Sequence, residues 1–171
     1  MSGESSGGLA GPKVKVEGSI DEILYAENVG KIIEALSDKA VRKLIDKYGA
    51  RLLTKPRKRV LGGEVGKLAY IEIEGPVTIT ISAERAESYS PTLFTVEFDF
   101  KGRSVADSAS HVKLSKALTA ALKNLEKAAK TKKALVEAIK GAGGDDEKLK
   151  ELEEEAKALE ETIAAFKEAL A

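Results

Sequence analysis

From Leu149 to Leu170 the apolar positions recur at spacings of 3-4-3-4-3-4, through Leu149, Leu152, Ala156, Leu159, Ile163, Phe166 and Leu170. This is a heptad seam, the period that holds one helix face against a partner. Upstream, Leu114, Leu118, Ala121, Leu125, Ala128, Lys132, Leu135 and Ile139 keep the same rhythm. Gly141-Ala142-Gly143-Gly144 separates the two runs, and Asp145 is placed to cap the second. The spacing predicts helices over 108–140 and 145–171, a long C-terminal extension. A seam so regular favours a homodimer through Leu149, Leu152, Leu159, Ile163, Phe166 and Leu170. Pairing of the two helices within one chain is the alternative.

Before Asp107 the period is different. Ser19-Ile20-Asp21-Glu22 is a capping box, which predicts a helix over about 20–36 with Ile23, Leu24, Val29, Ile32, Ile33 and Leu36 inward. Ser37 is placed to cap a second helix carrying Val41, Leu44 and Ile45, which Gly49 stops. Alternation then takes over. Arg51–Leu61 reads as a strand interrupted at Pro56. Ile71 and Ile73, then Val77, Ile79 and Ile81, then Phe94, Val96, Phe98 and Phe100 each line one side of a strand. Short turns such as Gly75-Pro76 link them. The fold expected is α+β: two N-terminal helices packed on an antiparallel sheet of about four strands, then the helical extension. Residues 1–12, rich in Ser and Gly, are expected to be a disordered tail, and 13–107 the core domain.

Composition narrows the chemistry. The chain has no Cys and a single His, at position 111. Disulfides, cysteine–zinc sites, thiol catalysis and multi-histidine metal sites are thereby excluded. No cofactor, metal site or enzymatic activity is expected. Ser108 and Ser110 form no triad with His111, which reads as a surface or capping residue. Gly62-Gly63-Glu64-Val65-Gly66-Lys67 is not a phosphate loop: Leu61 stands where the first Gly is required and Leu68 where Ser or Thr is required. Gln is absent and Asn occurs only at 28 and 124, a scarcity of thermolabile residues like that of hyperthermophile proteins. The Ala, Glu, Lys and Leu of the C-terminal third would also suit a designed protein, and Tyr89-Ser90-Pro91 speaks against one. Neither a membrane span nor a secretory signal is expected, so the expected compartment is the cytoplasm.

The net charge of +0 conceals a segregation. Residues 39–67 hold ten cations against Asp46 and Glu64, and 145–171 hold ten acids against four lysines. Lys55, Arg57, Lys58 and Arg59 lie within five residues, beside Pro56 and ahead of Gly62-Gly63. A lone Lys suffices to protect an edge strand, and four cations exceed that need. Cations for phosphates next to rings for bases are the requirements of single-strand binding. Arg51, Lys55, Arg57, Lys58, Arg59 and Lys67 are the candidate phosphate contacts, and Tyr70, Tyr89 and Phe94 the candidate stacking rings. Phe94 shares its parity with Val96 and Phe98 and suits a core position as well. Glu72, Glu74, Glu97 and Asp99 mark an acidic sheet face, which directs nucleic acid to the other side, near the 51–67 hairpin.

The layout resembles the ThermoDBP family of single-stranded DNA-binding proteins of hyperthermophilic archaea. The residues concerned are the two helices from Ser19 to Tyr48, the basic hairpin from Lys55 to Lys67, the strands to Phe100 and the heptad helix from Leu149 to Leu170. Together they span most of 13–171. The resemblance implies a basic, hydrophobic-lined cleft for single strands and a C-terminal zipper that makes dimers. The expected function is non-catalytic, largely sequence-independent binding of single-stranded DNA, with RNA as a further ligand. The alternative is an assembly protein that acts through its coiled-coil helices, with the basic hairpin binding an acidic partner.

Overall fold

A computed structural model describes residues 13–26, 28–58, 64–87 and 89–171. The expected tail at 1–12 lies outside the described residues. In chain order the elements are β1 (Val14–Val16), α1 (Ile20–Leu24), α2 (Val29–Ser37), α3 (Lys39–Tyr48), β2 (Ala50–Lys58), β3 (Glu64–Glu74) and β4 (Thr78–Glu84). Then come β5 (Leu93–Phe100), β6 (Arg103–Ser104), β7 (Ala109–His111), α4 (Leu114–Ala142) and α5 (Asp146–Leu170). Among the described residues no helix is long and apolar enough to cross a membrane.

The sheet corrects the expectation of four antiparallel strands. It has seven and is mixed, in the order β1-β2-β3-β4-β5-β6, with β7 also on β5. β1 runs parallel to β2, with Val14 opposite Ala50, and the three short helices form the crossover between them. β6 and β7 share the outer edge of β5, at Asp99–Phe100 and Phe94–Val96. The alternation of Val14 and Val16 with Lys suggests the short β1, whereas β6 and β7 carry too little alternation to be read. The stretch from Asp107, expected to start a helix, is therefore partly strand, and α4 begins only at Leu114. Pro56 does not interrupt β2, because β1 pairs with β2 only at its first residues and leaves the backbone near Pro56 on an open edge.

The helical layer also departs from two N-terminal helices. The expected helix over 20–36 is divided. Asn28 takes a left-handed conformation (φ 62°), and its side-chain amide donates to the Ala83 carbonyl at 3.0 Å, which anchors the turn between α1 and α2 on the end of β4. α1 keeps its predicted cap, the Glu22 N–H donating to Ser19 Oγ. α2 and α3 share their layer with α5. Ile71, Ile73, Ile79, Ile81, Phe94, Val96 and Phe98 are buried in one cluster with Val41, Leu44 and Ile45 of α3, Leu118 and Leu125 of α4, and Leu159 and Phe166 of α5. The rings of Phe98 and Phe166 meet edge-on, with centroids 5.8 Å apart. Each such side chain contributes about 1.5–3 kcal/mol by leaving water.

The C-terminal helices are thus a hairpin folded onto the sheet. Gly143, left-handed at φ 70°, ends α4, and the Gly144 N–H returns to the Ile139 carbonyl, which turns the chain sharply enough for α5 to run back. The residues assigned above to a dimer, Leu152, Leu159, Ile163 and Phe166, are buried within the chain, and Leu149 and Leu170 are half-buried. The seam is real, and α4 and the sheet of the same chain cover it. Charge fixes its register. Glu155 on α5 is 1% exposed and lies 2.9 Å from Lys132 Nζ, an ion pair outside hydrogen-bond angles, while its other oxygen accepts from Arg103 of β6. Lys101 donates to Glu154 at 3.0 Å and holds that carboxyl below the usual range.

Removing one member of a buried ion pair leaves the other desolvated and alone, at a cost of about 3–5 kcal/mol. Glu155→Ala is expected to lose that much in urea denaturation. Lys132→Leu combined with Glu155→Leu is expected to recover most of it. Equal losses in the two variants would show that the pair does not set the register.

Candidate nucleic-acid interface

Strand register divides the candidate residues between the two faces of the sheet. The inner face, toward the helices, carries Ala50 opposite Ile73, Leu52 opposite Ile71 and Thr54 opposite Ala69. Pro56 and Lys67 continue that face. The outer face carries a row of Leu53, Tyr70, Ser82, Thr95 and Ser110, and beside it a row of Arg51, Glu72, Thr80 and Glu97. Arg51, Lys55 and Tyr70 therefore share the face of Glu72 and Glu97, not the opposite one expected for nucleic acid, and Lys67 and Phe94 point the other way. No flat surface joins them.

Arg51 is fully engaged within the protein. Its Nη1 donates to Glu17 at 2.8 Å, its Nε to Glu72 at 3.1 Å, and Nε also lies 3.0 Å from Glu74. Hydrogen bonds to Glu72 and Glu17 raise its pKa further above an already high value. An approaching phosphate would meet three carboxylates around this guanidinium, so Arg51 leaves the set of phosphate contacts. Phe94 leaves the set of stacking rings. It is 0% exposed on the inner face, with Lys31 Nζ 5.7 Å from its ring centroid. Its parity with Val96 and Phe98 already pointed to the core.

Lys55 and Tyr70 remain together. They occupy neighbouring positions on paired strands, and Lys55 Nζ lies 5.2 Å from the Tyr70 ring centroid. Burial, and then the charge of Glu72, push the Tyr70 hydroxyl above its ordinary pKa, so the ring stays neutral at physiological pH. On the other face Lys67 makes an ion pair with Glu22 of α1. The side chains of Arg57 and Lys58, and all of Arg59, lie outside the described residues. Their backbone placement follows from β2, which reaches Lys58 opposite Glu64.

Pairing between β3 and β4 starts only at Tyr70 and Ser82, whereas β3 pairs with β2 from Glu64 onward. The β2–β3 hairpin therefore overhangs the end of the sheet as a two-stranded arm. The turn holding Tyr25 lies at this same end, through the bond from Asn28 to Ala83, and so does the connection from β4 to β5 that holds Tyr89. Tyr25 is 87% exposed and Tyr89 86%. Leu93 and Val112 are exposed there too. Sequence reasoning missed Tyr25, because it fell inside one continuous predicted helix. Its place off the inward-facing positions was the available signal.

His111, in β7 and not in a helical turn, accepts through Nδ1 the N–H of Lys113, the residue just before α4, at 3.0 Å. Among the described residues no group of His, Asp or Glu is arranged to hold a metal ion.

The core and surface assignments of the aromatic residues separate in a stability measurement. Phe94→Ala is expected to lose about 3–5 kcal/mol in chemical denaturation. Tyr89→Ala is expected to stay within about 0.5 kcal/mol of the parent chain. A small loss for Phe94→Ala would put its ring back on the surface.

Compared with protein-family models, curated proteins and solved structures, the chain matches none of them.

Proposed function

We propose that the protein binds single-stranded nucleic acid, DNA in the first instance, without catalysis and largely without sequence preference. The strand runs along the overhanging β2–β3 arm and the adjoining end of the sheet. The observation that carries this reading is the Lys55–Tyr70 pair at the root of the arm, a cation and a neutral ring in contact, with Tyr25 and Tyr89 exposed at the same end. Stacking on a side chain requires bases that are not already stacked in a duplex, and cations hold the phosphates beside them. The acids around Arg51 repel a backbone and confine its path to the arm. This is the activity that the resemblance to the ThermoDBP family implies. The zipper dimer implied with it is not carried over, because the seam is buried within one chain. The same burial weakens the assembly reading, which needs an open seam.

Fluorescence anisotropy with labelled single-stranded DNA, single-stranded RNA and duplex, each at two salt concentrations, tests the proposal. Affinity for single strands is expected to fall with salt at a log–log slope of about −0.7 per phosphate contacted. Tyr70→Ala is expected to weaken binding about fivefold to a hundredfold, the equivalent of about 1–3 kcal/mol for one stacked base. Duplex or heparin bound as tightly as single strands, with folded Tyr70→Ala, Tyr25→Ala and Tyr89→Ala variants unaffected, would refute the stacking site.

A further inference from the structure

α4 carries two populations of lysine. Lys132, Lys133 and Lys140 face α5 and pair with Glu155, Glu160 and Glu153. Lys113, Lys116, Lys123, Lys127 and Lys130 are exposed, and among the described residues their ammonium groups have no ion-pair partner. Lys113 is the extended residue just before α4, and at 3.6 residues per turn the other four lie within about 60° of arc, opposite the buried seam of Leu118, Ala121 and Leu125, and extend over about 21 Å. The lone acid between residues 113 and 133 is Glu126, which is engaged by Lys167 of α5 at 3.2 Å.

A helix face that serves only solubility intersperses both signs, and glutamates three or four residues away stabilise its lysines. Here Lys123, Lys127 and Lys130 repel one another at those same spacings with no acid between them on that face. The stripe also begins at a particular place. Lys113 follows β7, whose His111 stands opposite Phe94 at the start of β5, at the end of the sheet where Tyr89 and the β2–β3 arm lie. The stripe therefore begins at the same end of the sheet as the arm, with β4 and β5 between them.

We infer that the outward lysine stripe of α4 is a second phosphate track, which holds the backbone of a single strand that has left the stacking site at the end of the sheet. The inference rests on the single-strand reading and lengthens its site. α4 itself carries no Phe or Tyr, so along its length the stripe contacts phosphates and no bases, and only a strand long enough to reach past the arm engages it.

The test compares the wild-type chain with Lys123→Ala/Lys127→Ala/Lys130→Ala, substitutions that keep good helix formers in place. Circular dichroism confirms the fold. Anisotropy is measured on oligothymidylates of about 8 and about 30 nucleotides, the short one within the size of a single compact site. The triple variant is expected to bind the short strand like wild type. It is expected to bind the long strand at least about tenfold more weakly, with a salt slope flatter by about 2, the loss of three phosphate contacts. An unchanged slope and affinity on the long strand would overturn the inference while leaving the arm site standing. Light scattering in which wild type self-associates at low salt and the triple variant does not, with the long-strand slope unchanged, would also overturn it and assign the stripe to the acidic α5 of a second copy. Failure of the wild-type chain to bind either oligonucleotide would remove the functional reading itself, and the inference with it.

Discussion

The return of α5 onto the sheet is the constraint from which the rest follows, and the contacts of Glu155 and Phe166 fix where it lands. Phe166 fills the space over Phe98. Glu155, almost wholly buried, accepts from β6 through Arg103 and pairs with α4 through Lys132. A buried carboxylate between two cations tolerates little sliding, since a shift of one helical turn would strand at least one charge away from water and from its partner. The apolar seam alone would permit several registers. Together they set how α4 lies and which of its faces meets solvent.

Electrostatics then divides the surface. On the outer face Arg51 gathers Glu17, Glu72 and Glu74, with Glu97 farther along the same row. Carboxylates gather there, and Arg51 is consumed by them. Among the described residues, lysines without an ion-pair partner stand along α4, and others lie on β1, α3 and α5. A chain with no net charge can thus leave a run of lysines on α4 without ion-pair partners, because the acids near it are used between α4 and α5. The aromatic residues follow the same division. Phe94, Phe98 and Phe166 build the core, while Tyr25, Tyr70 and Tyr89 stand where a hydroxyl can keep water.

Much of this was legible in the pattern, and the failures share one physical origin. Alternation located β3, β4 and β5, and the 3-4 spacing located the helices of the hairpin. Period reports which face of an element is apolar. It is silent on what covers that face, so the regular seam of α5 favoured a dimer interface over a hairpin within the chain. The single lysine in the seam of α4, Lys132, was the local clue: a charge at a seam position requires a buried partner, and Glu155 supplies it. β6, β7 and the break at Asn28 escaped because each is a few residues long and depends on a bond to a distant strand, such as Asn28 to Ala83. Arg51 escaped for the same reason. Its basicity is written in the sequence, while the three carboxylates around it are brought there by the pairing of β1, β2 and β3.

Hydrogen exchange measured with and without a saturating single-stranded oligonucleotide tests the central claim most directly. The account predicts slower exchange in the β2–β3 arm, the turn after α1 and the connection from β4 to β5, with α5 and the Arg51 end of the sheet unchanged. Protection confined to α5 or to the strands around Arg51, with the arm unaffected, would contradict it.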